Sequence, residues 1–386
     1  MGPRAAGPLS GIRILEFESI GPAPFAGMLL ADMGADVLVI DRPAATDLGL
    51  ERKRAEAVMM RGKRSVTLDL KRPGAAGIAL SLLEKADALI EGMRPGVMEK
   101  LDLGPDAALA RNPRLVYGRM TGWGQDGPLA ARAGHDINYI ALSGVLHAIG
   151  RKGEAPVPPL NLVGDFGGGG MLLGFGVACG LLEAQRSGKG QVIDAAMVEG
   201  ASLLAAMFAG FLHSQQFNEV RGDNVLDTGA PWYNVYETKD GKYVSIGSIE
   251  ARFFDDLIQR LKLQNVPPQH DRARWPEMKA LFAGAFRSKT RDEWVEAFAG
   301  SDACFAPVLS WSEARRDAHH VSRKNFFTLA GIEQPSPAPR FSRTAAKVLR
   351  APPERGEGGA QALAEWGFNK TEIEGLIARG LGTREE

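Results

Sequence analysis

The chain has 386 residues, of which 45% are hydrophobic and 24% charged, a composition typical of a globular protein. Lys and Arg together number 46, as do Asp and Glu, so the net charge is zero and a nucleic-acid-binding role is not indicated. The two cysteines, Cys179 and Cys304, are too few and too far apart for a disulfide framework or a metal site. We therefore expect a cytoplasmic protein without a bound metal.

Neither end of the sequence has the features of a targeting segment. The first eleven residues lack the apolar core of a signal peptide, and the last four are not a peroxisomal signal. The longest nearly continuous apolar stretch, 171–182, is too short and too rich in glycine to cross a bilayer. These features predict no membrane association.

The first part of the chain alternates between short apolar, β-branched runs and helical patterns. A helix is predicted at 22–33, after a Gly-Pro start, and another ends near residue 85. Strands are predicted at 12–17, 37–40, 65–68, 88–91 and 115–120. This alternation predicts βαβ units, and hence an α/β fold with a parallel sheet.

The glycine-rich stretch at 165–185 predicts a loop, a helix N-cap and a helix that packs closely against another element. A further strand is predicted at 192–195, and one long helix at 197–213.

The next part of the chain predicts a smaller α+β domain. The runs at 232–237 and 242–247 flank Lys-Asp-Gly, which is a hairpin signal. Helices are predicted at 252–261, 277–286 and 293–298, the last with a capping box of Thr290 and Glu293. A Pro-rich connection at 335–353 leads to two short helices, the second with a predicted capping box of Thr371 and Glu374.

Familiar nucleotide and hydrolase motifs are incomplete or missing. Residues 122–127 match the dinucleotide pattern GxGxxG after a predicted strand, but Pro128 follows at once and no amphipathic helix opens there. The sequence at 187–190 lacks the Ser or Thr that a P-loop requires after its lysine. HExxH and GxSxG do not occur, which excludes the commonest metalloprotease and serine-hydrolase signatures.

Three short stretches contain the candidate catalytic side chains. His135 lies between Gly134 and Asp136, Asp165 precedes four glycines, and Glu250 follows a predicted strand. Each has a simpler explanation, since Asp136 and Asp165 could cap helices and Glu250 could be the first acidic residue of one.

The glycines favour a functional role for Asp165. One glycine is enough for a turn, whereas four expose bare main chain to a ligand. Main-chain N–H groups at the start of a helix also stabilise developing negative charge. The N–H groups of Asp165, Phe166, Gly167 and Gly168 are therefore predicted to form an oxyanion site beside a proton-transferring carboxylate.

A basic set lies upstream of these stretches. Arg42 and Arg94 each follow the end of a predicted strand, the position at which α/β folds bind phosphates. The guanidinium group suits phosphate recognition, whereas most other Lys and Arg side chains simply face solvent.

At these residues the chain resembles the α-methylacyl-CoA racemases, members of the family III CoA-transferase superfamily. The resemblance runs from residue 7 to about residue 343. Its most specific segments are GPAPF at 21–25, LADMGAD at 30–36, IDRP at 40–43, GHDINY at 134–139, PLNLVGDF at 159–166, GKGQVID at 188–194 and GAPWY at 229–233.

The resemblance implies an interlocked homodimer of two-domain subunits. It predicts a large Rossmann-like domain at 1–200, completed by 331–386, and a small α+β domain at 225–315. A linker helix region at 201–224 and a return linker at 316–330 would join them. The active site would be shared between the large domain of one subunit and the small domain of the other.

The resemblance also implies roles for individual residues. His135 and Asp165 correspond to the acid/base pair, and Glu250 corresponds to the residue that hydrogen-bonds the histidine. The implied CoA contacts are Arg42, Leu68, Asp69, Leu70, Lys71, Gly92, Met93, Arg94, Lys100, Gly134, Asp136, Ile137, Asn138 and Tyr139. Lys100 replaces a family arginine and would be a milder phosphate contact. Ala251-Arg252 stands where relatives often have Pro-Gln, and Met93 lies beside Arg94. These two departures leave the acyl-chain and nucleotide preferences open, but not the chemistry.

The predicted function is epimerisation of 2-methylacyl-CoA thioesters, within lipid and fatty-acid metabolism. Inversion at the α-carbon requires two proton carriers on opposite faces, and His135 and Asp165 supply them if burial raises the pKa of Asp165. CoA is part of the substrate, so no separate cofactor is expected.

Two other functions were weighed. A family III CoA-transferase would use Asp165 as a nucleophile and form an acyl-enzyme anhydride. Such enzymes usually carry a glycine-rich loop in the small domain, which the sequence at 244–250 lacks. An acyl-CoA-binding protein without catalysis would be expected to lack the acid/base residues, and these are present.

Overall fold

The structure, a computed structural model, describes residues 7–44 and 53–384. Parts of the terminal segments that were screened for targeting signals lie outside the described residues. The chain divides into two units, the first made of Met1–Ser143, Leu160–Leu204 and Phe326–Glu386, and the second of Gly144–Pro159 and Ala205–Asn325.

A six-stranded parallel sheet forms the centre of the first unit, in the order β3-β2-β1-β4-β5-β6. This is the order of a doubly wound sheet, whose switch point lies between β1 and β4. The strands are β1 (Arg13–Phe17), β2 (Asp36–Asp41), β3 (Arg64–Thr67), β4 (Ala88–Glu91), β5 (Val116–Thr121) and β6 (Gln191–Ala196). Each lies within one or two residues of its predicted run, because strands buried on both faces are continuous apolar runs.

Helices cover both faces of this sheet, so its apolar residues divide between two clusters. Leu15 and Phe17 of β1 pack into one cluster, and Ile14 packs into the other. The helices of the first unit are α1 (Pro22–Asp32), α2 (Ala75–Leu83), α3 (Val97–Lys100), α4 (Pro105–Arg111), α5 (Asp136–Leu142), α7 (Leu172–Ser187), α8 (Met197–Leu204), α15 (Gly359–Glu365) and α16 (Lys370–Ala378). Short 3₁₀ turns occur at Arg54–Glu56 and Val58–Met60, and the hairpin of β10 (Phe326–Leu329) and β11 (Ile332–Pro335) was not predicted.

One buried ion pair stands out in this unit. Lys63 Nζ lies 2.6 and 2.8 Å from the two carboxylate oxygens of Glu16, and it also donates to the carbonyl of Pro24 at 2.9 Å. Both charged side chains are almost completely removed from solvent. Burial raises the pKa of Glu16 and lowers the pKa of Lys63, so each charge depends on the other.

Three local predictions differ from the structure. The predicted loop before α7 is a π-helix, Leu162–Met171, that runs directly into α7. The single helix predicted at 197–213 is two helices, α8 and α9 (Ala206–His213), separated at Ala205. The last capping box consists of Asn369 and Glu372, two residues earlier than predicted.

The π-helix lengthens the apolar helix, which now spans Leu162–Ser187 and 26 residues. Among the described residues, this is the one helix whose length and composition would allow a membrane crossing. A single helix of this kind is weak evidence, because core helices meet the same criteria. Here Leu173, Val177 and Leu181 are buried in the cluster beside the sheet.

The second unit contains a three-stranded antiparallel sheet of β7 (Tyr233–Glu237), β8 (Tyr243–Gly247) and β9 (Phe305–Pro307). The hairpin and the capping box of Thr290 and Glu293 are as predicted. Its helices are α6 (Val145–Ala148), α9, α10 (Ala251–Leu261), α11 (Trp275–Phe286), α12 (Arg291–Ala297), α13 (Trp311–Ala314) and α14 (Ala318–Arg323), with a 3₁₀ turn at Arg272–Arg274. Trp232, Phe282 and Phe286 are almost fully buried in its aromatic core.

The segment Gly144–Pro159 groups with this second unit, whereas the predicted ranges placed it in the large domain. Side chains hold it there, since Arg221 donates to the carbonyls of His147 and Glu154 and Lys152 pairs with Asp223. The predicted domain and linker ranges otherwise stay predictions.

Candidate active site

His135 immediately precedes α5 and is solvent-exposed. Its main-chain N–H donates to the side chain of Asn138 at 3.0 Å, and its carbonyl accepts from the Asn138 N–H at 2.8 Å. These two bonds orient the start of the helix and the residue that carries the imidazole ring.

Asp165 lies inside the π-helix, half-buried, and is not an N-cap. Its main-chain N–H donates to Asp136 Oδ1 at 2.6 Å, so the residue after His135 binds the Asp165 turn directly. Capping of their own helices, the simpler explanation for Asp136 and Asp165, therefore does not account for this hydrogen bond. π-helical turns are frequent at functional sites.

The carboxylate of Asp165 is partly buried and is contacted by neighbouring residues. Asn161 donates to its Oδ2 at 2.9 Å, and a Cβ on Gly21 would come within 3.2 Å of the same oxygen. Burial raises the pKa of Asp165, and the charge of Asp136 adds to this, against the opposing effects of Asn161 and His135. Asp165 needs a raised pKa to hold a proton near neutrality.

The four glycines after Phe166 have a different role from the predicted one. Cβ atoms on Gly168 and Gly169 would lie 2.6 Å from the Ala201 nitrogen and 2.9 Å from Pro22 Cβ, respectively. Gly170 is equally close to the carbonyl of Pro22. The glycines therefore allow α1 and α8 to pack closely against the π-helix, and do not form an open loop for a ligand.

The predicted oxyanion donors already have acceptors. The Asp165 N–H binds Asp136, and the π-helix places the N–H groups of Phe166, Gly167 and Gly168 in its own i to i−5 bonds. An enolate oxygen at this turn would have to share or replace one of these bonds. The Asp165 N–H is the one whose acceptor is a side chain.

The implied CoA contacts meet at the carboxyl edge of the parallel sheet. Arg42 follows β2, the segment Leu68 to Lys71 follows β3, and Gly92 to Arg94 follow β4. Lys100 ends α3 nearby in sequence and is exposed. Ligands of doubly wound folds bind at this edge, beside the switch point.

Side chains at this edge differ in accessibility. Leu68 is almost fully buried in the core, and Leu70 and Met93 are partly buried and pack against the same cluster. Asp69 is occupied locally, since its Oδ1 accepts from the Lys71 N–H at 3.0 Å.

Tyr139 connects the CoA edge with the Asp165 turn. It is buried, its hydroxyl donates to the carbonyl of Gly134, and its ring stacks edge-on with Trp123. Burial raises the pKa of Tyr139 to about 12, with a further rise from Asp165 and an opposing effect of Arg94. The charges of Asp165 and Arg94 therefore both affect the pKa of the Tyr139 hydroxyl group. Ile137 and Asn138, on the same helical turn, are exposed.

Glu250 belongs to the second unit, where it precedes α10 with an extended backbone. Its side chain is exposed and does not cap the helix. The turn before it is fixed, since Gln269 donates to the carbonyls of Ser248 and Ile249 at 3.1 and 2.8 Å.

Sequence reasoning missed the contribution of Asn161. The signal was its spacing of four residues before Asp165, which is informative only if a helix begins at this point, and a loop had been predicted there. In the described parts of the chain, no group of three or more His, Cys, Asp or Glu side chains could hold a metal ion.

Comparisons of the sequence and of the fold with known proteins find clear similarities. The family described as CoA-transferase family III matches residues 9–358. The chain is 44% identical to mouse and 43% identical to human alpha-methylacyl-CoA racemase, in each case over 95% of both chains. A solved CAIB/BAIF family protein from Brucella suis has the same fold, with a TM-score of 0.82, 24% identity and coverage of 94% of this chain and all of that one.

Proposed function

Because the chain belongs to CoA-transferase family III, we propose that it is an isomerase that epimerises 2-methylacyl-CoA thioesters. The observation that carries the proposal is the hydrogen bond from the Asp165 N–H to Asp136, the residue next to His135, which brings the two candidate groups to one place. The pKa of Asp165 is raised there, mainly by burial. The 43–44% identity to racemases over nearly the whole chain supports racemisation over CoA transfer.

The proposed reaction is a 1,1-proton transfer. One of the two groups removes the α-proton, and the electron pair of the broken C–H bond moves to the thioester oxygen as an enolate. The other group, protonated beforehand, delivers its proton to the opposite face of the α-carbon. His135 and Asp165 exchange these roles between the two epimers, and the enzyme returns to its starting protonation state after the next reverse turnover or exchange with solvent.

The enolate requires a donor at the turn of Asp165 to Gly168. The Asp165 N–H is the preferred donor, because its acceptor, Asp136 Oδ1, is a side-chain atom and not a carbonyl of the helix. Proton transfer involves no change in oxidation state, so no cofactor besides the CoA of the substrate is required.

The function is tested by incubating the (2R)- and (2S)-2-methylacyl-CoA thioesters separately with the enzyme in D₂O. We expect both to reach the same mixture of epimers, with deuterium at C2, as followed by chiral chromatography and mass spectrometry. Retention of configuration without deuterium, together with CoA exchange into added free carboxylates, would instead identify a CoA-transferase that uses Asp165 as nucleophile.

We also propose an interlocked homodimer whose active site combines His135 and Asp165 of one subunit with Glu250 of the other. Large apolar side chains on the helices of the first unit are exposed, which is typical of an interaction surface. They are Leu142, Leu162, Met171, Phe175, Leu182 and Leu203. The exposed carboxylate of Glu250, held on a fixed turn, suits a hydrogen bond that orients an imidazole ring.

Subunit complementation tests this arrangement. As homodimers, His135→Ala is expected to lose at least about 10²-fold in activity and Glu250→Ala at least about 10-fold. Co-expressed in equal amounts, they should regain about a quarter of wild-type activity, since half of random dimers are mixed and each has one intact site. Failure of the mixture to exceed its parents, or a monomeric mass by sedimentation, would contradict the shared site. The cytoplasmic location and the place in lipid metabolism stay predictions.

A further inference from the structure

Two glutamates bind the main chain of the loops that carry Arg42 and Arg94. Glu18, just after β1, accepts from the Arg42 N–H at 2.8 Å through its Oε2. Glu91, the last residue of β4, accepts from the Met93 N–H at 2.6 Å, also through Oε2. The two carboxylates thus lie at the carboxyl ends of neighbouring strands, on either side of the switch point of the sheet.

An arginine holds the first of these carboxylates. Arg355, far away in sequence, donates to Glu18 Oε1 at 2.6 Å and to Glu18 Oε2 at 3.1 Å. The same guanidinium donates to the carbonyl of Arg42 at 2.6 Å. Arg42 is therefore held at its N–H and at its carbonyl by one carboxylate–arginine pair.

A second arginine holds the other carboxylate. Arg119 of β5 donates to Glu91 Oε1 at 3.0 Å through Nε. Its other two nitrogens reach the carboxylate of Glu99 in α3 at 2.8 and 3.3 Å. This pair links the loop that contains Arg94 to the helix that ends at Lys100.

Both pairs are shielded from water, which strengthens their charge-assisted hydrogen bonds. Glu91 is fully buried, and Glu18 and Arg119 are at least nine-tenths buried. Burial raises the pKa of Glu91 to about 7, although the hydrogen bond from the Met93 N–H and the charge and hydrogen bond of Arg119 act to lower it. Burial acts in the same direction on Glu18, but the hydrogen bonds from Arg355 and Arg42 outweigh it and leave the pKa of Glu18 below its usual value.

We propose that Glu18 with Arg355 and Glu91 with Arg119 are positioning residues, which hold the loops of Arg42 and Arg94 so that both guanidinium groups meet the phosphates of CoA. The proposal rests on the proposed function, because it assumes that these two arginines bind those phosphates. An arginine on an unrestrained main chain would lose entropy on binding, whereas the main chain at Arg42 and at Met93 is already held by buried side chains.

The test compares two substrates that differ only in the phosphates, a 2-methylacyl-CoA and the corresponding 2-methylacyl-pantetheine thioester. For Glu18→Gln and Glu91→Gln, we expect KM for the CoA thioester to rise about 10-fold with kcat within about 2-fold of wild type. Kinetics with the pantetheine thioester should be unchanged. Equal losses with both substrates would indicate a merely structural role and overturn the proposal.

Variants of the two arginines separate the possible failures. Arg42→Ala and Arg94→Ala should reduce the preference for the CoA thioester in the same way, and combining each with its glutamate variant should add little more. If the arginine variants keep the full preference, the phosphate assignment fails and the positioning proposal fails with it. If they lose it and the glutamate variants do not, the positioning proposal alone is overturned.

Asp32→Asn is the matched control, because it removes a buried carboxylate–arginine pair of the same unit that touches neither loop. It should lower stability without changing the preference between the two thioesters. Should Glu91→Gln fail to fold, Arg119→Lys provides the same readout, since a lysine cannot bridge both Glu91 and Glu99 as the guanidinium does.

Discussion

His135→Ala and Asp165→Asn are each expected to lower the rate of epimerisation at least about 10²-fold. Each variant removes one of the two proton carriers, so the proton cannot be taken from one face and returned to the other. The remaining group can still remove the α-proton of the one epimer that directs this proton towards it, and exchange it with solvent with retention of configuration. NMR in D₂O, started separately from each epimer, should therefore show exchange without inversion for one epimer only, and a different epimer for each variant.

His319→Ala and Asp106→Asn are suitable controls for these two variants. Both residues are exposed and lie outside the candidate site, so epimerisation should stay within about 2-fold of wild type. Near-normal racemisation by His135→Ala or by Asp165→Asn would show that the affected residue has been given the wrong role. If either variant exchanged the α-proton of both epimers, a second base would be acting on the face of the α-carbon that the replaced residue serves.

Lys63→Met is expected to reduce the free energy of unfolding by about 3–5 kcal/mol at neutral pH, as loss of one partner of a buried ion pair does. Glu16, 1% exposed, would keep a carboxylate in the core without its cation. Denaturant unfolding followed by circular dichroism measures the change.

The pH dependence of this variant has a defined sign. Burial already raises the pKa of Glu16 above its value in the unfolded chain, and loss of Lys63 removes the main effect that lowers it. The folded variant therefore takes up a proton more readily than the unfolded chain, so its deficit should shrink as the pH falls towards the unfolded pKa of Glu16 and grow as the pH rises.

Two further variants define the origin of the effect. Glu16→Met/Lys63→Met removes both charges and should recover most of the lost stability. Lys370→Met removes a lysine that is 91% exposed and should change stability by less than about 0.5 kcal/mol. A deficit in Lys63→Met that is independent of pH, or one that the double variant does not recover, would assign the effect to packing and not to the uncompensated carboxylate.

The parallel sheet was predictable because its signal is local. A strand such as β4 is a short apolar run that begins and ends where the polarity changes, and its bounds were predicted without error. The capping box of Thr290 and Glu293 was predicted for the same reason, since its two members are three residues apart. The short strand β9 carries only three residues and no such pattern.

The π-helix around Asp165 was not predictable in this way. Four consecutive glycines have low helix propensity, and by themselves they favour a loop. In the structure α1 and α8 approach this turn so closely that side chains on Gly168 and Gly169 would clash, so tertiary packing explains the glycines without a loop. This packing also decides that the glycine N–H groups are bonded within the helix.

The sequence by itself determined the α/β class and the strands, since residue type and spacing carry those signals, whereas the candidate roles of His135, Asp165 and Glu250 came from the resemblance to a known family. Only the tertiary structure decided which groups surround them. Asp136 binds the Asp165 turn across 29 residues, and Arg355 reaches Glu18 across 337. Contacts of such separation leave no periodicity in the sequence, because they form only when the folded sheet brings its strand ends together.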